Sequence, residues 1–303
     1  MKTKLLIRSM QTIALLFLVL IFCEGFTGSA SAKEKIVIGL IPEMNVFQQM
    51  ERFKPLAAYL SEKLDIDLQL TMLSRYGNIV ERFQEQQVDG AFLGSFTGAL
   101  CISQLGIEPL ARPVNKDGTS TYFGYIFVRK DSGIKTVADM KGKTMVFVER
   151  ATTAGYVFPL AYLKSHGVTD IDTYFAEHYF AGSHDAAILA VLGGQADVGA
   201  CKNTIYDKVR KTRPEIDQEL IIIASSTRVP SNGLCVKATL DDSLKKRLKE
   251  ALLGLHEMPK GLEVLKQLDA LRFVETNQKD YQPVIDIARD AGIQLEEYRY
   301  QNQ

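Results

Sequence analysis

The sequence predicts an α/β protein of two α/β lobes joined by a two-crossing hinge, and three observations predict it. Short apolar strands alternate with amphipathic helices from residue 36 to residue 94;. A helix, a short break and an aspartate-bearing strand with glycine close behind occur near residue 89 and again at 183–200. A strand-like run at Tyr122–Arg129 is matched on the return by Leu220–Val236, so the chain passes twice between the two halves.

The first 32 residues are read as a leader rather than as fold. Lys2, Lys4 and Arg8 precede the apolar run Ile13–Phe22, and Ala30-Ser31-Ala32 offers small residues for cleavage after Ala32;. The apolar run is short against the roughly 20 residues a bilayer span needs. Cys23 follows Phe22, where a lipid-attachment site wants a small residue. The mature protein is therefore expected outside the inner membrane, in the periplasm. The remaining length suffices for two lobes, expected as 33–121 plus 223–303 and as 122–222;.

The mature chain opens on the strand Ile36–Ile41, ended by Pro42. Phe53, Leu56, Ala57, Leu60 and Leu64 share one helical face;. A strand over Asp67–Leu73, a helix over Asn78–Gln87 with Asn78 as its cap, and a buried strand from Val88 to Gly94 follow, which together predict a largely parallel sheet;. In the second half Ser183 caps a helix through Ala187, Ile188, Ala190 and Val191, Gly193-Gly194 ends it, and Gln195–Ala200 is a strand. Near the C-terminus Leu244, Leu248, Leu252 and Leu255 form a stripe behind the capping acids Asp241 and Asp242;.

Charge excludes some functions. The chain has 36 basic and 36 acidic residues, and the leader takes three of the former and one of the latter. Nothing in the bulk charge calls for nucleic acid or an anionic membrane. Cys101, Cys201 and Cys235 remain after the leader, an odd number; a Cys201–Cys235 bridge is left open, and no metal-ligand spacing surrounds any of them;. An enzyme finds little support. Ser183, His184 and Asp185 are adjacent, which does not make a triad converge; no Gly-x-Ser-x-Gly elbow occurs, and there are only four histidines;.

The most informative stretch is Glu149–Tyr156, with Thr152, Thr153, Ala154 and Gly155 between the strand Thr144–Val148 and a helix through Leu160 and Leu163. Hydroxyls and backbone N–H groups at a helix start suit an anion, although a threonine there also serves as a plain cap. His184 opens the 183–200 passage and is either a donor to an anion or a surface histidine. Tyr76 lies at a strand end and Tyr122 at the hinge, where each is a cleft residue or packing. Gly94-Ser95-Phe96-Thr97-Gly98 is a further helix start with two hydroxyls, too short for a P-loop;.

Several segments, in order, resemble the phosphonate- and phosphite-binding proteins of ABC importers, a branch of the type II periplasmic-binding-protein fold. They are Phe53–Leu60, Arg75-Tyr76-Gly77, Val88–Gly94, Val128–Ile134, Asp139–Lys143, Thr152–Tyr156, Gly182–Ala187 and Ala196–Ala200. The resemblance implies a monomeric, non-enzymatic receptor without cofactor or metal that hands a small oxyanion to a membrane permease. It implies that Tyr76 and Tyr122 line the cleft, that Thr152 and Thr153 hold anion oxygens, that His184 contacts the same group, and that Asn203 and Asp207 contribute from the second lobe. Two departures stand out. Ala154 replaces a third loop hydroxyl, and Val229-Pro230-Ser231 leads to Asn232 where the family usually has an acid. Without that acid an ammonium group on the ligand loses its partner, so a compact phosphonate, phosphite or phosphate is expected. A sulfonate, a vitamin precursor, or presentation of ligand to a membrane sensor kinase are the alternatives.

Overall fold

Ile36, Ile38 and Leu40 are each no more than 2% exposed, and strands on both sides cover β1 (Lys35–Leu40), which places it inside a sheet;. The structure is a computed structural model and describes residues 33–300. The expected leader and Cys23 lie outside the described residues.

The further strands are β2 (Asp67–Met72), β3 (Gly90–Leu93), β4 (Glu108–Asn115), β5 (Thr121–Tyr122), β6 (Gly124–Arg129), β7 (Thr144–Phe147), β8 (Glu177–Phe180), β9 (Val198–Lys202), β10 (Leu220–Ser225), β11 (Val229–Pro230), β12 (Gly233–Val236) and β13 (Ala270–Glu275). They form one sheet in the order β13-β4-β12-β3-β1-β2 and a second in the order β10-β6-β9-β7-β8, with β5 and β11 paired as a short ribbon between. That ribbon is the two-crossing hinge. The second sheet runs from Gly124 to Ser225.

The expectation of a largely parallel first sheet needs correction. β1 runs parallel to β2 and β3, but β12 is antiparallel to β3 and β4, and β13 is antiparallel to β4. The chain re-enters this sheet from the hinge in the reverse direction. The second sheet repeats the pattern: β7 is parallel to β8 and β9, and β6 is antiparallel to β9 and β10.

The recurring aspartate now has a physical role. Asp89 accepts from the Val37 backbone N–H at 2.8 Å, and Asp197 accepts from the Thr144 N–H at 2.9 Å. Each carboxylate ties its own loop to the neighbouring parallel strand, β1 at its third residue and β7 at its first. In each case the glycine that follows in the strand is needed for close approach: a Cβ on Gly90 would lie 2.9 Å from the Cys235 carbonyl, and one on Gly199 would lie 2.7 Å from Val191 and Phe127.

Helices follow the apolar stripes, with shifts at their ends. The first covers Val46–Leu64, two turns longer than its stripe, because Asn45 caps it by accepting from the N–H groups of Phe47 and Gln48 while Phe47 stays exposed. Ser183 and Asp241 cap their helices as expected. Asn78 does not; it donates to Ser74 at 2.8 Å, and its helix is only Ile79–Gln84. The single return run expected over Leu220–Val236 divides into β10, β11 and β12. Cys101, Cys201 and Cys235 are buried free thiols, with Cys201 in the second sheet and Cys235 in the first, so they form no bridge. Among the described residues no helix is long and apolar enough to cross a membrane.

Candidate functional site

All six parallel strands, three in each sheet, end at the same interlobe cleft, where loops leaving the carboxyl ends of strands gather ligands;. β1 leads to Glu43, β2 to Tyr76 and β3 to Ser95; β7 leads to Thr152 and Thr153, β8 to His184, and β9 ends at Lys202. These residues, with Tyr122 from the hinge ribbon and Asn232 from the turn before β12, enclose a small cavity with room for about one water-sized sphere, roughly 10 Å³.

Hydroxyls from both lobes converge there. Ser95 Oγ lies 2.7 Å from Tyr122 Oη and 2.6 Å from Thr153 Oγ1. Ser95 begins the helix Ser95–Leu105 of the first lobe; Thr153 begins a wide π turn, Thr153–Val157, that runs into the helix Phe158–Ser165 of the second. The first N–H groups of such starts have no intrahelical acceptor. Tyr76 is buried, and among the described residues its hydroxyl has no hydrogen-bond partner. A buried orphan of this kind calls for an acceptor.

His184 is 4% exposed, and burial pushes its pKa down to about 4, so the ring is neutral at pH 7. Its Nδ1 accepts from the Lys202 backbone N–H at 3.2 Å. The proton therefore sits on Nε2, which makes the ring a donor. Ser183 donates to Asp185 and has no bond to His184, so these three adjacent residues form no triad. Burial raises the Tyr122 pKa to about 12 and holds the Tyr76 phenol well above its ordinary value; both are protonated donors.

The strongest electrostatic feature was not among the sequence-derived candidates. Lys202 Nζ donates to Glu43 Oε1 at 2.8 Å and to Asn232 Oδ1 at 2.9 Å, and lies 4.3 Å from the centre of the Tyr122 ring. Lys202 and Glu43 are 6% and 5% exposed. Burial pushes the Glu43 carboxyl up, but the Lys202 ammonium, with Arg52 and His184 farther off, outweighs it and holds the pKa at about 2. The pair also joins the lobes, as does the His184 N–H donating to the Glu43 carbonyl at 3.3 Å.

The remaining candidates divide. Ala154 and Asn232 line the cavity. Thr152 lines it too, but its hydroxyl donates to the Glu149 carbonyl at 2.6 Å. Thr97 likewise donates back to Gly94. Gly155 does not line the cavity; it packs against Val148, where a Cβ would come within 2.4 Å of the valine. Asn203 accepts from the Phe123 N–H at 3.0 Å and so fastens the hinge, and Asp207 pairs with Arg210 at 3.3 Å. Both line a wider cleft beside the cavity rather than the cavity itself. Among the described residues no group of three or more His, Cys, Asp or Glu side chains is placed to hold a metal.

Residues 38–281 match the family described as ABC transporter, phosphonate, periplasmic substrate-binding protein. The chain is similar to the phosphate-import protein PhnD of Mycolicibacterium smegmatis, 29% identical over 194 residues, an alignment covering 61% of this chain and 58% of that relative. It is similar to the phosphonates-binding periplasmic protein of Escherichia coli, 23% identical over 86% of this chain and 78% of the other. Its fold is that of PhnD1 from Prochlorococcus marinus, solved in complex with methylphosphonate, with a TM-score of 0.76, 22% identity, and coverage of 86% of this chain and 98% of that one. The chain belongs to the family of periplasmic substrate-binding proteins of phosphonate ABC transporters.

Proposed function

We propose that this protein captures a small phosphorus oxyanion without an amino group, phosphonate, phosphite or phosphate, and delivers it to an ABC importer. The observation that carries the reading is the meeting of Ser95, Thr153 and Tyr122 hydroxyls across the cleft, beside the unpartnered Tyr76 hydroxyl and the Nε2–H of His184. All are neutral donors. An oxyanion seated among them replaces the Ser95–Thr153 contact with charge-assisted bonds from both lobes, which are stronger than neutral ones in a dry site. Because the donors come from two lobes, the ligand favours the closed arrangement by its excess affinity for it.

Lys202 supports the choice of ligand. Its ammonium stands between Asn232 and Glu43, in the place where an aminoalkyl ligand would present its own. The protein supplies that cation itself, so an amino group on the ligand has no vacant carboxylate to meet. A binding role rather than a catalytic one is supported by the hydroxyls, which bond one another and no base. The family relationship supports a periplasmic receptor that serves an ABC-transporter permease; we infer further that it is exported across the inner membrane and acts as a monomer.

Calorimetry against methylphosphonate, phosphite, phosphate, 2-aminoethylphosphonate, sulfate and taurine tests the reading. The expected result is binding of one or more of the first three, with 2-aminoethylphosphonate weaker than methylphosphonate. Preference for the amino compound, or for sulfate or taurine, refutes it.

A further inference from the structure

Beside the cavity, and sharing Glu43, Lys202 and Asn232 with it, runs a wider cleft between the lobes, about 1050 Å³ counted out to open solvent. Its charges are unevenly matched. The acids on its walls are engaged: Glu43 with Lys202 at 2.8 Å, Asp269 with Lys116 at 2.9 Å, Asp207 with Arg210 at 3.3 Å, and Asp117 with Arg228 at 3.9 Å. Arg52, Lys208 and Lys211 also face it, and among the described residues none has a carboxylate within ion-pair distance. Arg52 donates to the Leu268 carbonyl, but among the described residues its buried Nε has no partner. The only polar contact of Lys208 Nζ among the described residues is the Met44 sulfur at 3.7 Å, a weak acceptor;. Burial and then the neighbouring Arg52 push the Lys208 pKa down, while Asp269, Glu43 and Asp185 push it back up by less. Two half-buried cations side by side, each short of an acceptor, cost stability unless something anionic joins them.

We propose that this cleft is a second anion subsite, so that the full ligand is a two-headed anion. Its phosphonyl or phosphoryl head sits among Ser95, Thr153 and Tyr122, and a second oxyanion, a carboxylate or another phosphoryl group, passes Lys202 to reach Arg52 and Lys208. The inference rests on the oxyanion reading above. It deepens that reading: a substituent is accommodated, and its charge must be negative.

The test compares methylphosphonate with phosphonoacetate, 3-phosphonopropionate and methylenediphosphonate by calorimetry, in the native protein and in Lys208→Gln and Arg52→Gln. Two-headed compounds of one spacer length should bind at least tenfold more tightly than methylphosphonate. That preference should fall to under threefold in either variant, while Lys208→Gln binds methylphosphonate as the native protein does. Thermal unfolding checks that the variants are folded, and Lys208→Gln alone suffices if Arg52→Gln is not. The two carboxylates and the diphosphonate distinguish the kinds of second head. Methylphosphonate bound as tightly as every two-headed compound overturns the subsite and leaves the cradle standing. A preference that survives Lys208→Gln also overturns the subsite. Failure of all four compounds, and of phosphite and phosphate beside them, to bind overturns both.

Discussion

Replacing Lys202 by methionine keeps most of the side-chain volume and removes the ammonium from Glu43, Asn232 and the Tyr122 ring. The Glu43 carboxyl, 5% exposed, is left buried without its cation. Its present pKa of about 2 against an ordinary 4.5 corresponds to about 3 kcal/mol favouring the folded, ionised state;. Because the folded pKa is depressed, this contribution is fully present above about pH 4.5 and is lost as pH falls toward 2;. Lys202→Met removes it at pH 7, and burial then drives Glu43 toward its protonated form. Breaking a buried pair from one side costs about 3–5 kcal/mol, so urea unfolding at pH 7 should show a loss in that range. Adding Glu43→Gln should restore a substantial part, since the stranded charge is gone. Ligand choice should move with stability: with the resident ammonium removed, 2-aminoethylphosphonate should gain on methylphosphonate, its own ammonium meeting Glu43. A loss below about 1 kcal/mol, or an unchanged preference between the two ligands, refutes the assignment of Lys202 as the internal cation.

Tyr76→Phe removes a buried hydroxyl that has no partner among the described residues, so unfolding free energy should hold or rise while affinity for methylphosphonate falls about tenfold, as expected for one charge-assisted bond; calorimetry and thermal unfolding read the two effects separately. Thr153→Val should weaken the same ligand by about 1.5–3 kcal/mol. Thr152→Val should cost binding less and stability more, because that hydroxyl is held by the Glu149 carbonyl. His184 titrates near 4 in the folded protein against 6.5 ordinarily, so the unfolded chain binds the extra proton between those values. Stability should therefore fall by up to about 3 kcal/mol as pH drops through that window, and His184→Asn should flatten the slope in denaturant melts across pH 4–6.5.

What could be read from the sequence was local. Thr153, Ser95 and His184 announce themselves by opening helices after short apolar strands, and Tyr76 and Tyr122 by standing at a strand end and at the hinge; the structure gathers all five around one cavity. Glu43 and Lys202 gave no such sign. They are 159 residues apart and pair only because β1 and β9 end at the same cleft from opposite lobes. The available hint was a lysine directly after the apolar run Val198–Cys201, a costly position for a charge without a partner;. Gly155 and Asn203 take other places in the structure for a related reason. Each neighbours a site residue in sequence, but one fills a tight contact with Val148 and the other is committed to the Phe123 backbone. Strand direction was likewise hidden, since β12 and β13 look like any apolar strand until the hinge reverses the chain.

A crystal structure of the protein grown with methylphosphonate tests the cradle most directly. The phosphonyl oxygens should lie within about 3 Å of Ser95 Oγ, Thr153 Oγ1, Tyr76 Oη and His184 Nε2, with the Ser95–Thr153 contact broken and Lys202 still on Glu43. Ligand bound elsewhere on the protein, or the Ser95–Thr153 contact intact beneath it, would rule out the cradle.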